Sequence, residues 1–124
     1  ECKLSVAGAM ALQKSVSERW KAKTNTSVFE GYGLTEASPV VCCNPLTDKA
    51  EVGTIGLPLP STEVKIVSED GKDLPCGEAG ELCVRGPQVM KGYWQRADET
   101  AKVIKEGWLY TGDVAVVQEN GFVK

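Results

Sequence analysis

The sequence predicts an α+β, β-rich fold: a βαβ remnant of a parallel sheet, followed by a small antiparallel, β-barrel-like subdomain. The first 30 residues give the order strand, amphipathic helix, strand, which is typical of a βαβ unit. From Gly53 onward ten glycines separate short β-prone runs, and the helical period largely disappears. We therefore assign residues 1–50 to the end of an α/β subdomain and residues 51–124 to the β-barrel-like subdomain.

The predicted βαβ unit consists of two β-prone runs and one helix. Residues 3–6 favour a short strand that leads into a tight turn at residues 7–9, and residues 26–30 favour the second strand. Between them, three apolar residues recur at the helical spacing, and we interpret all of them as core residues: Leu12, Val16 and Trp20. A lone βαβ unit leaves a sheet edge unpaired, which indicates that strands preceding it are missing.

The second region is predicted as a curled antiparallel sheet with two tight hairpins and one helix. Asp70-Gly71 follows an alternating run and predicts the first hairpin turn, and Asn120-Gly121 predicts the second. A short helix interrupts the strands, with Asp98 as its N-cap and Gly107 at its end. These turns allow neighbouring strands to pair as a small barrel or a curled sheet.

Composition and charge exclude several classes of function. A hydrophobic content of 42% and a charged content of 25% are ordinary for a globular domain, and no apolar run approaches the roughly 18 residues of a membrane-spanning helix. The net charge of -3 provides no basic field for a phosphate backbone, which argues against nucleic-acid binding. Residues 1–50 carry six Lys/Arg and five Asp/Glu, whereas residues 51–124 carry eight and twelve, which supports two regions of different character.

The cysteines predict free thiols. Their number is odd, they show no CxxC spacing, and the sequence has no histidine that could complete a metal site. This pattern favours a reducing cytoplasm over a disulfide framework. The five residues are Cys2, Cys42, Cys43, Cys76 and Cys83.

The segment GYGLTE is the first candidate site. Tyr32 stands between Gly31 and Gly33, so the backbone can approach a planar ligand while the aromatic ring offers a face for stacking. The Thr35 hydroxyl suits a phosphate oxygen, and the Glu36 carboxylate suits Mg²⁺ that is bound to substrate phosphates. The alternative is structural: the tyrosine packs in a turn, the threonine caps a short helix and the glutamate is solvated.

The segment YTGD, which ends at Asp113, is the second candidate site. The two oxygens of Asp113 can accept hydrogen bonds from both hydroxyls of a ribose, each worth roughly 1.5–3 kcal/mol. The alternative is an exposed turn aspartate. Hydrolysis by the carboxylate pair of Glu36 and Asp113 ranks lower, because the neighbouring aromatic and hydroxyl groups suit a nucleotide better. Without histidine the sequence offers no Ser-His or Cys-His nucleophilic couple.

Both segments resemble those of the adenylate-forming (AMP-binding) superfamily. The string FEGYGLTEASP at residues 29–39, and GWLYTGDV at residues 107–114 with NGF at residues 120–122, resemble the bacterial long-chain fatty-acid:CoA ligases in particular. The resemblance covers essentially all 124 residues. It implies that Asp113 binds the ribose and that Tyr32 stacks near the adenine.

The same resemblance implies further roles. Thr35 contacts the α-phosphate and Glu36 binds Mg²⁺, which makes these two the catalytic residues. The string AGA at residues 7–9 resembles the small-residue turn that lies against the adenine in this family, which adds contacts at Gly8 and Ala9. The string RGPQVMKGYW at residues 85–94 also matches a family segment, and we interpret its role as structural, with its tyrosine and tryptophan used for packing.

The activity that the resemblance implies is ATP-dependent activation of a fatty acid to acyl-AMP, followed by transfer of the acyl group to coenzyme A. The family's phosphate loop, hinge and C-terminal lysine have no counterpart in this sequence. We therefore expect an internal fragment that does not catalyse by itself, from a cytoplasmic enzyme with peripheral contact at the inner face of the cytoplasmic membrane. The alternatives are a stand-alone β-domain that binds a nucleotide or a protein, an amino-acid-adenylating enzyme, an aryl-CoA ligase and a luciferase-type oxidase.

Overall fold

The computed structural model describes residues 3–124, so Cys2 lies outside the described residues. The strands of the first sheet are β1 (Ser5–Ala7), β2 (Val28–Gly33), β3 (Val40–Cys43) and β4 (Leu57–Pro58), in that spatial order. The second sheet contains β5 (Glu63–Val67), β6 (Asp73–Leu74), β7 (Ala79–Arg85), β8 (Ile104–Lys105) and β9 (Trp108–Val116). Its spatial order is β6-β5-β7-β9-β8. The helices are α1 (Lys14–Thr24), a 3₁₀ turn (Thr35–Ala37) and α2 (Ala97–Val103).

The first sheet begins with the predicted βαβ unit. β1 pairs in parallel with β2, with Val6 opposite Phe29, and α1 forms the crossover between them. β3 and β4 then continue the sheet in antiparallel pairing. The register of β2 and β3 shifts between Tyr32 and Gly33, which is an irregularity of the β-bulge type at the end of the strand. The prediction of a βαβ remnant within an α+β, β-rich fold is confirmed.

The interpretation of the α1 pattern as core packing is wrong for two of its three residues. Val16 and Trp20 are 45% and 40% exposed, and no residue of α1 is buried. Leu12 precedes the helix and is half-buried. The helix contacts β2, and this contact leaves Val16 and Trp20 largely open to solvent. The helical period was therefore real, but burial requires a partner surface that periodicity does not supply.

The second sheet is antiparallel throughout and is built around β7. Leu82, Cys83 and Val84 are consecutive and all buried, so β7 is covered on both faces. The predicted turn at Gly71 joins β5 to β6, and the predicted turn at Gly121 closes through a hydrogen bond from Gln118 N–H to the Phe122 carbonyl, at 2.8 Å between nitrogen and oxygen. Both glycines have positive φ angles, which such tight turns favour. The predicted curled antiparallel sheet is confirmed.

The second helix differs from its prediction at both ends. α2 has Arg96 as its N-cap, so Asp98 lies inside the first turn, where its charge still favours the helix N-terminus. The helix ends at Val103 and the chain passes directly into β8. Gly107, with a φ of 80°, belongs to the β8–β9 hairpin and does not end the helix. The predicted C-terminal end was wrong because the strand β8 takes the residues that follow Val103. Neither helix among residues 3–124 has the length and apolar character needed to cross a bilayer.

One hydrophobic core joins the two sheets. Its buried members come from both parts of the chain: Ala37, Val41, Cys42, Ile66, Leu82, Val84, Ala115 and Val123. Val123 also joins the chain end to the segment before β4, because its carbonyl accepts from Ile55 N–H at 2.8 Å and its N–H donates to the Gly56 carbonyl at 2.9 Å. The division into regions 1–50 and 51–124 stays a prediction.

Candidate functional site

Both predicted segments contribute to one cleft. Its volume is about 470 Å³, which lies within the range of ligand sites in proteins. The walls are the loop after β1, the strand β2, the segment before β4 and the YTGD turn of β9. The lining residues are Ala9, Met10, Ala11, Glu30, Gly31, Tyr32, Gly33, Gly53, Thr54, Ile55, Asp113 and Lys124.

A hydrogen bond between Tyr32 and Asp113 connects the two segments. The Tyr32 hydroxyl donates to Asp113 Oδ2 at 2.5 Å, across 81 positions of sequence. Burial, and then the hydrogen bond to Asp113, raise the pKa of Tyr32 well above its ordinary value, so the phenol stays protonated and remains a donor. One carboxylate oxygen of Asp113 is thus engaged by protein, whereas the other is available to a ligand in the cleft.

The Asp113 carboxylate is oriented by the turn that precedes it. Gly112 has a φ of 78°, which favours glycine. The Thr111 hydroxyl donates to the Leu82 carbonyl at 2.8 Å and accepts from Asp113 N–H at 3.1 Å. The Gly112 N–H donates to Glu81 Oε1 at 2.9 Å. Because β7 anchors this turn, the exposed Asp113 side chain projects from a fixed backbone.

The small residues allow backbone segments to approach closely. A Cβ on Gly33 would lie 2.2 Å from the Pro39 carbonyl oxygen, which is too close for any side-chain carbon. Gly31 and Ala9 line the cleft, and Ala9 has a φ of 70°. Gly8 does not line the cleft, but a Cβ there would lie 3.5 Å from the Gly31 carbonyl oxygen, an ordinary contact. The structure therefore brings Gly31 and Gly33 to one wall of the cleft, whereas Gly8 lies next to Gly31 outside the lining.

Thr35 and Glu36 lie outside the cleft that contains Asp113. They belong to the 3₁₀ turn after β2, where Thr35 is exposed and Glu36 is half-buried. Glu36 Oε1 accepts a hydrogen bond from the Tyr93 hydroxyl at 2.7 Å, and this bond raises the pKa of Tyr93. The two candidate carboxylates therefore have separate tyrosine partners and do not line one cavity.

Glu36 can contribute one ligand to Mg²⁺. Among residues 3–124, no three side chains of His, Cys, Asp or Glu lie together as a metal site. Mg²⁺ is commonly held by one or two carboxylates together with substrate phosphates and water, which does not require such a cluster. The single carboxylate of Glu36, with Oε1 bound to Tyr93 and Oε2 remaining, fits that kind of site.

Two residues near the site had no functional role in the sequence-based interpretation. Glu30 is only 6% exposed, and its carboxylate accepts from Leu12 N–H at 2.9 Å and from Gly53 N–H at 2.8 Å, so it joins two walls of the cleft. Its signal was an acidic residue inside a β-prone run. Tyr93 was assigned to packing, but its hydroxyl binds Glu36. No local signal connected Tyr93 to a residue 57 positions away.

The cysteines of the described residues are all free thiols, as predicted. Burial raises the pKa of Cys42 to about 12 and that of Cys83 to about 11. Both thiols therefore stay protonated at neutral pH, which makes them poor nucleophiles. Cys43 and Cys76 complete the set within residues 3–124.

Comparison with known proteins gives the same family as the two segments. The AMP-binding enzyme family matches residues 2–94. Long-chain-fatty-acid--CoA ligases of Salmonella typhimurium (strain LT2) and Bacillus subtilis (strain 168) are 54% and 46% identical, each over 121 residues. These alignments cover 98% and 97% of this chain and 22% of each relative. The chain thus spans about a fifth of the length of these curated relatives.

Solved structures share the fold. Apo MatB from Rhodopseudomonas palustris superposes with a TM-score of 0.91 at 34% identity, covering 97% of this chain and 24% of that one. A long-chain-fatty-acid-CoA ligase from Archaeoglobus fulgidus superposes with a TM-score of 0.87 at 34% identity, covering 98% and 27%. The family match, the sequence identities and the shared fold agree, and the chain belongs to the AMP-binding enzyme family.

Proposed function

We propose that this chain forms the nucleotide-binding part of an ATP-dependent long-chain fatty-acid:CoA ligase. In the reaction, a carboxylate oxygen of the fatty acid attacks the α-phosphorus of ATP, which forms acyl-AMP and releases pyrophosphate. The sulfur of coenzyme A then attacks the acyl carbonyl carbon, loses its proton and displaces AMP. The relatives with this printed activity match nearly the whole chain, which supports the assignment.

The observation that carries the proposal is the hydrogen bond between Tyr32 and Asp113. It brings an aromatic ring and a carboxylate, from segments far apart in sequence, to one cleft. In our proposal the Tyr32 ring stacks near the adenine, and the remaining Asp113 oxygen accepts a ribose hydroxyl. Gly31, Gly33 and Ala9 provide backbone surface for the base, with Gly8 supporting that wall.

The 3₁₀ turn after β2 is the proposed phosphate end of the site. We assign the Thr35 hydroxyl to the α-phosphate and the Glu36 carboxylate to Mg²⁺, and we propose both as catalytic residues. Mg²⁺, when bound, supplies charge that offsets the negative phosphates. The turn follows directly from the strand that carries Tyr32, so a nucleotide lying along β2 extends from the base wall toward this turn.

The wider setting follows from the proposed activity. The substrates are a fatty acid, ATP and coenzyme A, and nucleic acid is not a partner. We place the enzyme in the cytoplasm, with peripheral contact at the inner face of the cytoplasmic membrane, because its acid substrate is poorly soluble in water. We also propose that residues 1–50 end the α/β subdomain and that residues 51–124 form the β-barrel-like subdomain.

Exchange of labelled pyrophosphate into ATP tests this proposal on the full-length enzyme. We expect exchange that depends on a long-chain fatty acid, and acyl-CoA formation after coenzyme A is added. Absence of exchange with every fatty acid, in an enzyme that is folded, would overturn the proposal. The isolated chain is expected to give no exchange, because the groups that complete the site are not among its residues.

An aryl-CoA ligase is the second candidate. The feruloyl-CoA synthase of an Amycolatopsis species is 45% identical over 94 residues, covering 75% of this chain and 19% of that protein. Exchange driven by ferulate and not by fatty acids would favour this candidate. The two candidates share the same nucleotide site and differ only in the acid.

A further inference from the structure

The segment after β7 reaches the 3₁₀ turn and forms two hydrogen bonds with one of its residues, Glu36. Met90 N–H donates to the Glu36 carbonyl oxygen at 2.7 Å, and the Tyr93 hydroxyl donates to Glu36 Oε1 at 2.7 Å. One residue of the turn is therefore bound through both its backbone and its side chain. Both bonds come from the RGPQVMKGYW string, whose role in the sequence-based interpretation was packing alone.

Tyr93 is itself held in place by α2. Its N–H donates to Thr100 Oγ1 at 2.9 Å, and the Thr100 hydroxyl donates to the Arg96 carbonyl at 2.8 Å. Gly92 lies so close that a Cβ there would be 2.8 Å from Thr100 Cγ2. The backbone that carries the phenol is thus anchored on a helix. Although 37% exposed, the ring has a defined position from which its hydroxyl reaches Glu36.

We propose that Tyr93 is a positioning residue that fixes the Glu36 carboxylate by binding Oε1, so that Oε2 would be the atom left to hold Mg²⁺. This inference rests on the proposed function, because it concerns the metal end of the same nucleotide site. A glutamate has several rotamers, and a carboxylate that is already oriented loses less freedom when it binds a ligand. A hydrogen bond from a phenol to a carboxylate is charge-assisted, which makes it strong enough to select one orientation.

The test measures how much Mg²⁺ tightens ATP binding to the full-length enzyme. Calorimetry gives the Kd of ATP with Mg²⁺ and with a chelator, and the ratio of the two values isolates the metal contribution from folding and from base binding. Tyr93→Phe keeps the ring and removes only the hydroxyl. In this variant we expect Mg²⁺ to tighten ATP binding about 10-fold less than in the wild type. The Kd of ATP without Mg²⁺ should stay unchanged. The thermal midpoint shows whether the fold is affected.

Trp94→Phe is the matched control. Trp94 is adjacent, aromatic and 87% exposed, and it makes no contact with Glu36 among the contacts that the structure describes. We expect the Mg²⁺ ratio of this variant to equal that of the wild type. Glu36→Gln should remove most of the ratio, and adding Tyr93→Phe to it should change nothing further, because the hydroxyl acts through the carboxylate.

The outcomes separate this inference from the proposed function. A wild-type enzyme that binds no ATP overturns the proposed function. A wild-type enzyme that binds ATP with the same Mg²⁺ ratio as Tyr93→Phe overturns the role of Tyr93 and leaves the nucleotide site standing. Equal loss of ATP affinity with and without Mg²⁺ in Tyr93→Phe also contradicts the inference, because it indicates general loss of structure.

Discussion

Replacing Asp113 by alanine tests the ribose assignment most directly. Asp113 Oδ2 already accepts the Tyr32 hydroxyl at 2.5 Å, so we count only one new bond, from a ribose hydroxyl to Oδ1. A hydrogen bond to a charged group contributes about 1.5–3 kcal/mol, which corresponds to roughly 10- to 150-fold in Kd. Asp113→Ala should therefore raise the Kd of ATP by that factor, measured by calorimetry on the full-length enzyme.

Deoxynucleotides distinguish a ribose contact from an indirect effect. The wild-type enzyme should bind either 2′-deoxy-ATP or 3′-deoxy-ATP more weakly than ATP, whereas Asp113→Ala should not distinguish that analogue from ATP. Asp73→Ala is the control, because Asp73 is an exposed aspartate of the same sheet whose ion pair is with Lys65, at 2.8 Å. Unchanged ATP affinity in Asp113→Ala, or the same penalty for the deoxynucleotide in both proteins, would refute the reasoning.

The remaining predictions concern packing and pH. Gly33→Ala should lower the free energy of unfolding by about 1–3 kcal/mol, because its Cβ would meet the Pro39 carbonyl oxygen. Gly8→Ala is the control and should change the free energy of unfolding by no more than about 0.5 kcal/mol. Urea titration measures both values. Burial, and then the charge of Cys43, raise the pKa of Cys42 from 9.0 to about 12. The stability that the neutral thiol contributes is fully present below pH 9.0 and is lost as the pH rises to about 12. The free energy of unfolding of Cys42→Ala should therefore fall less steeply with alkaline pH than that of the wild type. Identical slopes in the two proteins would contradict this.

Local sequence patterns were sufficient to predict most of the fold. The β-prone runs and the hairpin turns at Gly71 and Gly121 specify their own conformations, because alternation and positive φ are properties of a few neighbouring residues. The core interpretation of Val16 and Trp20 was wrong because burial depends on the surface that a helix meets. The N-cap prediction at Asp98 was wrong by two positions because capping signals tolerate shifts at helix ends.

The geometry of the candidate site could not be predicted from the sequence, although its candidate residues were chosen from their own segments. The ring of Tyr32 and the carboxylate of Asp113 were each recognisable from their own segments, yet their contact spans 81 positions and depends on how the two sheets pack. Tyr93 was missed for the same reason, since its local surroundings indicate only a turn. Glu30 was visible as an acidic residue in a strand, but its two backbone partners come from loops on either side of the cleft.

The two tyrosine–carboxylate bonds connect the sheets, and the donor belongs to a different sheet in each bond. Tyr32 of the first sheet donates to Asp113 of the second, and Tyr93, which follows the β7 strand of the second sheet, donates to Glu36 beside the first. Neither bond can form unless the sheets are correctly placed, and that placement is set by the apolar core they share. The base end and the phosphate end of the proposed site are therefore held by the same packing. We therefore expect that a nucleotide bound at both ends would stabilise the relative position of the sheets, which would link its affinity to the stability of that core.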